Sequence, residues 1–263
     1  MTEAIRVYAE MKWRRMRRGR WIVGSLTVAL LPALVAAIAA AKGRWGAGLF
    51  HESLEMYFRL LLPLAPVLLA STVVAEEVDS NTHTYLFARP APRAAIVIGK
   101  SLTAMLVLLP SFLIGVGLCF LVAVVMPAAL SDNVHAADIA AAKGAVLPAL
   151  GAVALGVPVY TGVAAGVGTL FVRRPLLGGM LYILVMEWIF ASLPGALKVV
   201  SVNFYLRGVA GLLPDATEVG FFRIWEPHPE PWVCLIVAII LGVGYAALGT
   251  WLVTDAEYRE SAK

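Results

Sequence analysis

The chain has 263 residues, 60% of them hydrophobic and 14% charged, with a mean hydropathy of +0.84. Soluble domains hold about 45–50% apolar and about 25% charged residues, so a water-soluble enzyme or binding module is set aside in favour of an integral membrane protein. The net charge of +4 does not point to nucleic acid, because the basic residues sit in short segments between apolar runs.

Residues 4–18 come first. Ile5, Tyr8, Ala9, Trp13 and Met16 recur at three- and four-residue spacing, while Arg6, Glu10, Arg14, Arg17 and Arg18 fall largely opposite. That pattern predicts a helix lying in the membrane interface, with Trp13, Arg14, Arg17 and Arg18 held by anionic headgroups. The basic run equally serves to set topology.

Six apolar runs follow, at 21–41, 57–75, 94–126, 145–172, 176–193 and 232–254. A span needs about 20 apolar residues, and the third and fourth runs exceed that, so they tilt or emerge from the bilayer. The first run is no signal peptide: its basic region and its apolar core are both too long. Alternating strands of about 10 residues do not occur, which excludes a barrel. Six transmembrane helices behind an interfacial helix are therefore expected: an all-α membrane fold with segment 1–20 on the surface, 21–254 in the bilayer and 255–263 as a tail.

Small residues mark helix contacts within these runs. Ser111, Gly115, Cys119 and Ala123 repeat every fourth residue, and Gly162 and Gly166 form a G-x-x-x-G, both patterns that let helix backbones approach closely in lipid. Cys119 and Cys234 lie in apolar runs, where thiols pack rather than ligate metals. With the N-terminus inside, 14 of the 21 Lys and Arg residues fall in inner segments and 7 in outer ones. The positive-inside rule then places both termini in the cytoplasm, at the inner membrane. The outer segment 195–231 holds a semi-apolar stretch at 199–213, suited to short helices dipping into the outer membrane face.

Glu187 stands inside the fifth run, near mid-membrane and slightly to its outer side. A carboxyl there is costly against lipid, so it is expected to face a watered path, a gate or a dimer interface. Arg59, early in the second run, is the cation within its reach. A hydrogen bond that only fixes packing is the other reading of Glu187.

The inner loop 76–93 is unlike a plain connector. Asp79 or Ser80 can cap a helix, and Pro90 biases Arg89 out of helix, leaving two turns from Thr82. Those turns present Tyr85, Leu86 and Phe87 between flanking polar residues and the arginines Arg89 and Arg93. An apolar knob so placed suits a groove on a cytoplasmic partner, or else it lies back against the membrane. Just beyond it, Gly99-Lys100-Ser101 ends like a phosphate-binding loop, G-x-x-x-x-G-K-[ST]. Ala94 occupies the position of the first glycine, and Arg89-Pro90-Ala91-Pro92-Arg93 precludes the strand that must precede such a loop.

At these residues the sequence resembles the ABC-2 family of ABC transporter permeases. Members carry a pattern close to E-x-x-x-G-T-(7 residues)-P-x-x-R-(5 residues)-G-K after their second span. Here Glu77, Thr82, Pro90, Arg93, Gly99 and Lys100 stand at the matching spacings, with Asn81 in place of the usual glycine. Glu187 in VMEWIF and the stretch SVNFYL at 201–206 are similar to the acidic fifth span and following outer helix of many members. The resemblance implies a six-span permease subunit, an exporter by type, paired with a second copy or a paralogue and with two copies of a separate ABC ATPase. It implies that the loop of Glu77, Asp79, Thr82, Tyr85, Leu86, Phe87, Arg89, Pro90 and Arg93 is the coupling helix that docks on the ATPase. ATP and magnesium would be bound by the ATPase and no cofactor by this chain, which would do no bond chemistry.

Two competing classes remain. Glu76-Glu77 is similar to the E-E-x-x-x-R motif of CAAX-type membrane proteases, but position 81 is Asn, and His51, His83, His135 and His228 all lie in loops, which gives no metal site. A secondary carrier or channel subunit rests on Glu187 alone, and no internal repeat of the kind such carriers show is visible.

Overall fold

A computed structural model describes residues 1–18, 21–71, 94–130, 136–192, 195–213 and 229–255. Helices make up most of these residues, and no strand occurs among them. In chain order they are α1 (Thr2–Arg18), α2 (Trp21–Ala41), α3 (Ala47–Ala70), α4 (Ala94–Ala129), α5 (Ala136–Leu170), α6 (175–192), α7 (Val202–Val209) and α8 (Pro231–Asp255). Among the described residues, α2, α3, α4, α5 and α8 are long and apolar enough to cross a membrane, and α6 is a shorter apolar helix.

The bundle runs up and down between two ends, one carrying α1 and the start of α4, the other carrying α7. Most boundaries fall where the apolar runs end, with two exceptions. Helix α3 starts at Ala47 rather than at 57, because its first turns are amphipathic: Leu49, Phe50 and Leu54 are buried while His51 and Glu52 face out. Helix α5 starts at Ala136 rather than at 145, with Asp138 in the first turn, where a negative charge suits the helix N-terminus. A hydropathy threshold reads such half-polar turns as loop.

Both small-residue patterns are contact faces. Ser111, Gly115, Cys119 and Ala123 are all buried along α4. Ser111 meets Ser25 of α2 at 3.4 Å, the Gly46 N–H donates to the Ala123 carbonyl at 2.9 Å, and Gly115 leaves room for the Tyr57 hydroxyl, which donates to the Ala29 carbonyl. On α5, a Cβ at Gly162 would stand 2.7 Å from the Gly242 carbonyl oxygen of α8, and one at Gly166 2.5 Å from that of Tyr245. With no hydrophobic effect between helices in lipid, backbone approach of this kind is what dispersion and packing can use.

Helix α1 is seated on the opening turns of α4. Tyr8, Lys12 and Met16 are buried and Ile5 and Ala9 half-buried. A Cβ at Gly99 would lie 2.6 Å from the Ile5 carbonyl oxygen, and the Thr103 hydroxyl donates to the Ala9 carbonyl at 3.0 Å. The apolar stripe expected to rest on lipid is therefore spent largely on α4, and Trp13, Arg14 and Arg17 stand on exposed positions beside it. The triplet Gly99-Lys100-Ser101 lies inside α4, with Lys100 and Ser101 buried. Residues that a phosphate loop would hold open around an anion are here wound into regular helix.

Candidate functional site

The short helix α7 begins with a local signal. Ser201 is its N-cap, in extended conformation, and its hydroxyl accepts from the Phe204 N–H at 3.4 Å, which satisfies one of the donors that every helix start leaves open. Val202, Phe204, Tyr205 and Leu206 are buried. Residues 201–210 are therefore packed against the bundle, while Val199 and Val200 just before them are exposed.

Glu187 of α6 holds this helix in place. Its side chain is fully enclosed, at 2% exposure. Oε2 accepts from the Ser201 hydroxyl at 2.7 Å, the Asn203 N–H at 2.9 Å and the Tyr160 hydroxyl at 3.0 Å. Oε1 accepts from the Tyr182 hydroxyl at 3.1 Å and the Val202 N–H at 3.3 Å. Backbone donors thus reach both oxygens, so the Glu187 carboxyl takes up N–H groups that the start of α7 would otherwise leave open. The carboxylate ties three elements together: Tyr160 from α5, Tyr182 from its own helix α6, and the first turn of α7.

Local winding makes this possible. Residues Ile183–Ile189 form a π-helical segment. In a regular α-helix, residues five apart point well away from each other, so Tyr182 would not meet Glu187; the wider turn brings them together. Such segments are frequent at functional sites.

Arg59 does not pair with Glu187. Its Nε donates to Glu55 Oε2, one turn earlier on α3, at 2.6 Å. The carbonyl of Arg59 instead meets the neighbour of Glu187: Trp188 Nε1 donates to it at 3.0 Å. The reason lies in the sequence, since Pro63 has no N–H to offer the carbonyl four residues before it. Arg59 also sits in a π-helical segment, Tyr57–Leu61, level with that of α6. Glu55 has a second partner, Arg207 of α7, whose Nη2 donates to Oε1 at 2.6 Å and to the Leu212 carbonyl at 3.1 Å. A guanidinium from α7 and a carboxylate from α3 thus fasten the far side of the short helix.

Sequence reasoning singled out Glu187 and Arg59 and missed Tyr160, Tyr182, Ser201, Glu55 and Arg207. Only Ser201 carried a readable signal, as a capping residue before an amphipathic stretch. The coupling-loop residues Glu77, Asp79, Thr82, Tyr85, Leu86, Phe87, Arg89, Pro90 and Arg93 lie outside the described residues, as do Glu76, Asn81 and the 255–263 tail beyond Asp255. Among the described residues no three His, Cys, Asp or Glu side chains converge as metal ligands would.

A bundle of long apolar helices, a buried carboxylate holding a short helix at one end and an amphipathic helix at the other define a multi-pass membrane protein. The sequence profile of the family described as ABC-2 family transporter protein matches residues 7–165, from α1 into α5. The chain belongs to the ABC-2 family of transporter membrane proteins. No protein with a curated description matches it.

Proposed function

We propose that this chain is the permease subunit of an ATP-driven exporter, working as a dimer with a second copy or a paralogue and with two ATPase subunits encoded separately. The observation that carries this reading is the family match over residues 7–165, which spans the E-x-x-x-N-T…P-x-x-R…G-K stretch at 77–100. In this reading the α1 end faces the cytoplasm, in keeping with its arginines, and α1 meets the headgroups through Trp13, Arg14, Arg17 and Arg18. Six helices cross the bilayer, α6 being the fifth. Helix α5 ends at the α1 end and α8 starts at the other, which supports α6 as a crossing helix, and its length of about 27 Å comes close to a hydrocarbon core of about 30 Å.

Coupling follows from how α4 is held. The 76–93 loop leads directly into Ala94, and α1 is clamped on the same opening turns through Gly99 and Thr103. A push on the loop by closing ATPases would move α4 and α1 together, and α4 carries the Ser111–Ala123 face packed on α2. At the opposite end, Glu187 and Arg207 hold α7 as the outer closure. ATP binding elsewhere would thereby bias a two-state bundle.

The purified chain alone is expected to hydrolyse no ATP, and addition of its cognate ATPase is expected to give turnover that depends on both. Phosphate release by the isolated chain that disappears in Lys100→Ala would contradict this.

A further inference from the structure

Among the described residues, three stretches are wound as π-helix: Tyr57–Leu61 in α3, Leu121–Val125 in α4 and Ile183–Ile189 in α6. Such winding is rare and needs a local cause. In α3 and α4 the cause is a proline, whose ring clashes with the carbonyl four residues before it and offers that carbonyl no N–H. Pro63 stands four residues after Arg59 and Pro127 four after Ala123, each carbonyl lying in the middle of its π segment. Both carbonyls are taken by donors from outside their own helix, the Trp188 indole at 3.0 Å and the Gly46 N–H at 2.9 Å.

The α6 segment has no such cause. Residues 187–193 contain no proline, and Pro194 stands four residues after Phe190, outside the segment. Nothing in that stretch forbids regular α winding. What favours the wide turn is the set of contacts made across it. Tyr182 and Glu187 are bonded at 3.1 Å, Glu187 is bonded to Ser201, Val202 and Asn203 of α7, and Trp188 is bonded to α3. Wound as regular α-helix from the same start, Glu187 and Trp188 would turn by about 100° and move by about 1.5 Å along the axis. Both would leave their partners together.

We propose that Ile183–Ile189 is a conformational switch: π winding fastens α7 and α3 to α6, and rewinding to α releases the two in one step. Prolines fix the segments of α3 and α4, so of the three only that of α6 is free to rewind. The switch is a property of the chain by itself; its use, opening the outer closure, rests on the proposed transport reading.

The test is hydrogen exchange of the purified full chain in lipid nanodiscs, read by mass spectrometry at the Val202 and Asn203 amides, since exchange detects rare openings. Trp188→Phe removes the bond to α3 and none of the bonds that hold α7. If one rewinding releases both, this variant should speed exchange at Val202 and Asn203 by about fivefold, the population shift expected for one lost hydrogen bond. Exchange at Val163, in mid-α5, should not change. Deleting the exposed Leu184 brings Tyr182 and Glu187 to a spacing of four, where a regular α-helix keeps them in contact and no second winding remains. In that background Trp188→Phe should leave both amides unchanged. Unaltered exchange at Val202 and Asn203 in Trp188→Phe, a rise shared equally by Val163, or an equal rise in the Leu184 deletion would each overturn the switch. The first two outcomes decide even where the deletion fails to fold. No ATPase is present in the experiment, so its failure leaves the transport reading standing.

Discussion

Replacing Glu187 by leucine is expected to detach α7 from the bundle and to lower the unfolding temperature of the detergent-solubilised protein by roughly 10 °C. Leucine removes the acceptor for the Val202 and Asn203 N–H groups and for three hydroxyls at once. The two backbone donors cannot turn away, and a buried donor without an acceptor costs about 1–3 kcal/mol. Glutamine separates charge from geometry. Its single oxygen can take the place of Oε2 and serve Asn203, Ser201 and Tyr160, while the Tyr182 hydroxyl reverses to accept from the new amide. Only the long Val202 contact is lost, so Glu187→Gln should lower the unfolding temperature by roughly 3 °C. Thermal unfolding followed by circular dichroism checks both values. Transport that survives in Glu187→Gln would assign Glu187 to holding α7, and transport that fails in an otherwise stable Glu187→Gln protein would assign its charge to the path or gate.

The second large effect is expected at the other end. Changing Tyr85 and Leu86 together to aspartate should abolish ATP-driven transport while insertion and folding of the permease stay intact. On the proposed reading these side chains enter a groove of the ATPase. Two carboxylates buried there without partners would weaken docking by about a hundredfold or more. The measurement is co-purification of the ATPase together with transport in reconstituted liposomes. Full yield of the complex with normal transport would remove the 76–93 loop from the docking role.

The sequence carried the helices and their contact faces better than it carried the site. Apolar runs mark spans because lipid demands them, and Ser111–Ala123 and Gly162–Gly166 mark close approach because only small residues permit it. The amphipathic turns at 47–56 escaped notice since burial there depends on neighbours. The stripe of α1 was visible, but a stripe does not say whether lipid or Gly99 receives it. Glu187 announced itself as a carboxyl within an apolar run. Its partners did not: Tyr160 and Ser201 come from distant segments, and the Tyr182 spacing is wrong for a regular helix and right only for a π-helical one. Arg59 was singled out with the wrong partner, because proximity along the bundle favoured Glu187 while the i,i+4 carboxylate of Glu55 was nearer.

The most direct measurement is photo-crosslinking from position 86 in the native membrane. A photoreactive amino acid in place of Leu86 should give an adduct whose second chain carries an ATP-binding cassette, and the adduct should be lost when Tyr85 is aspartate. The same probe in place of Leu147, exposed on α5, should give no such adduct. Absence of an ATPase adduct at position 86, or its appearance equally from position 147, would contradict the proposal that this loop couples the permease to ATP.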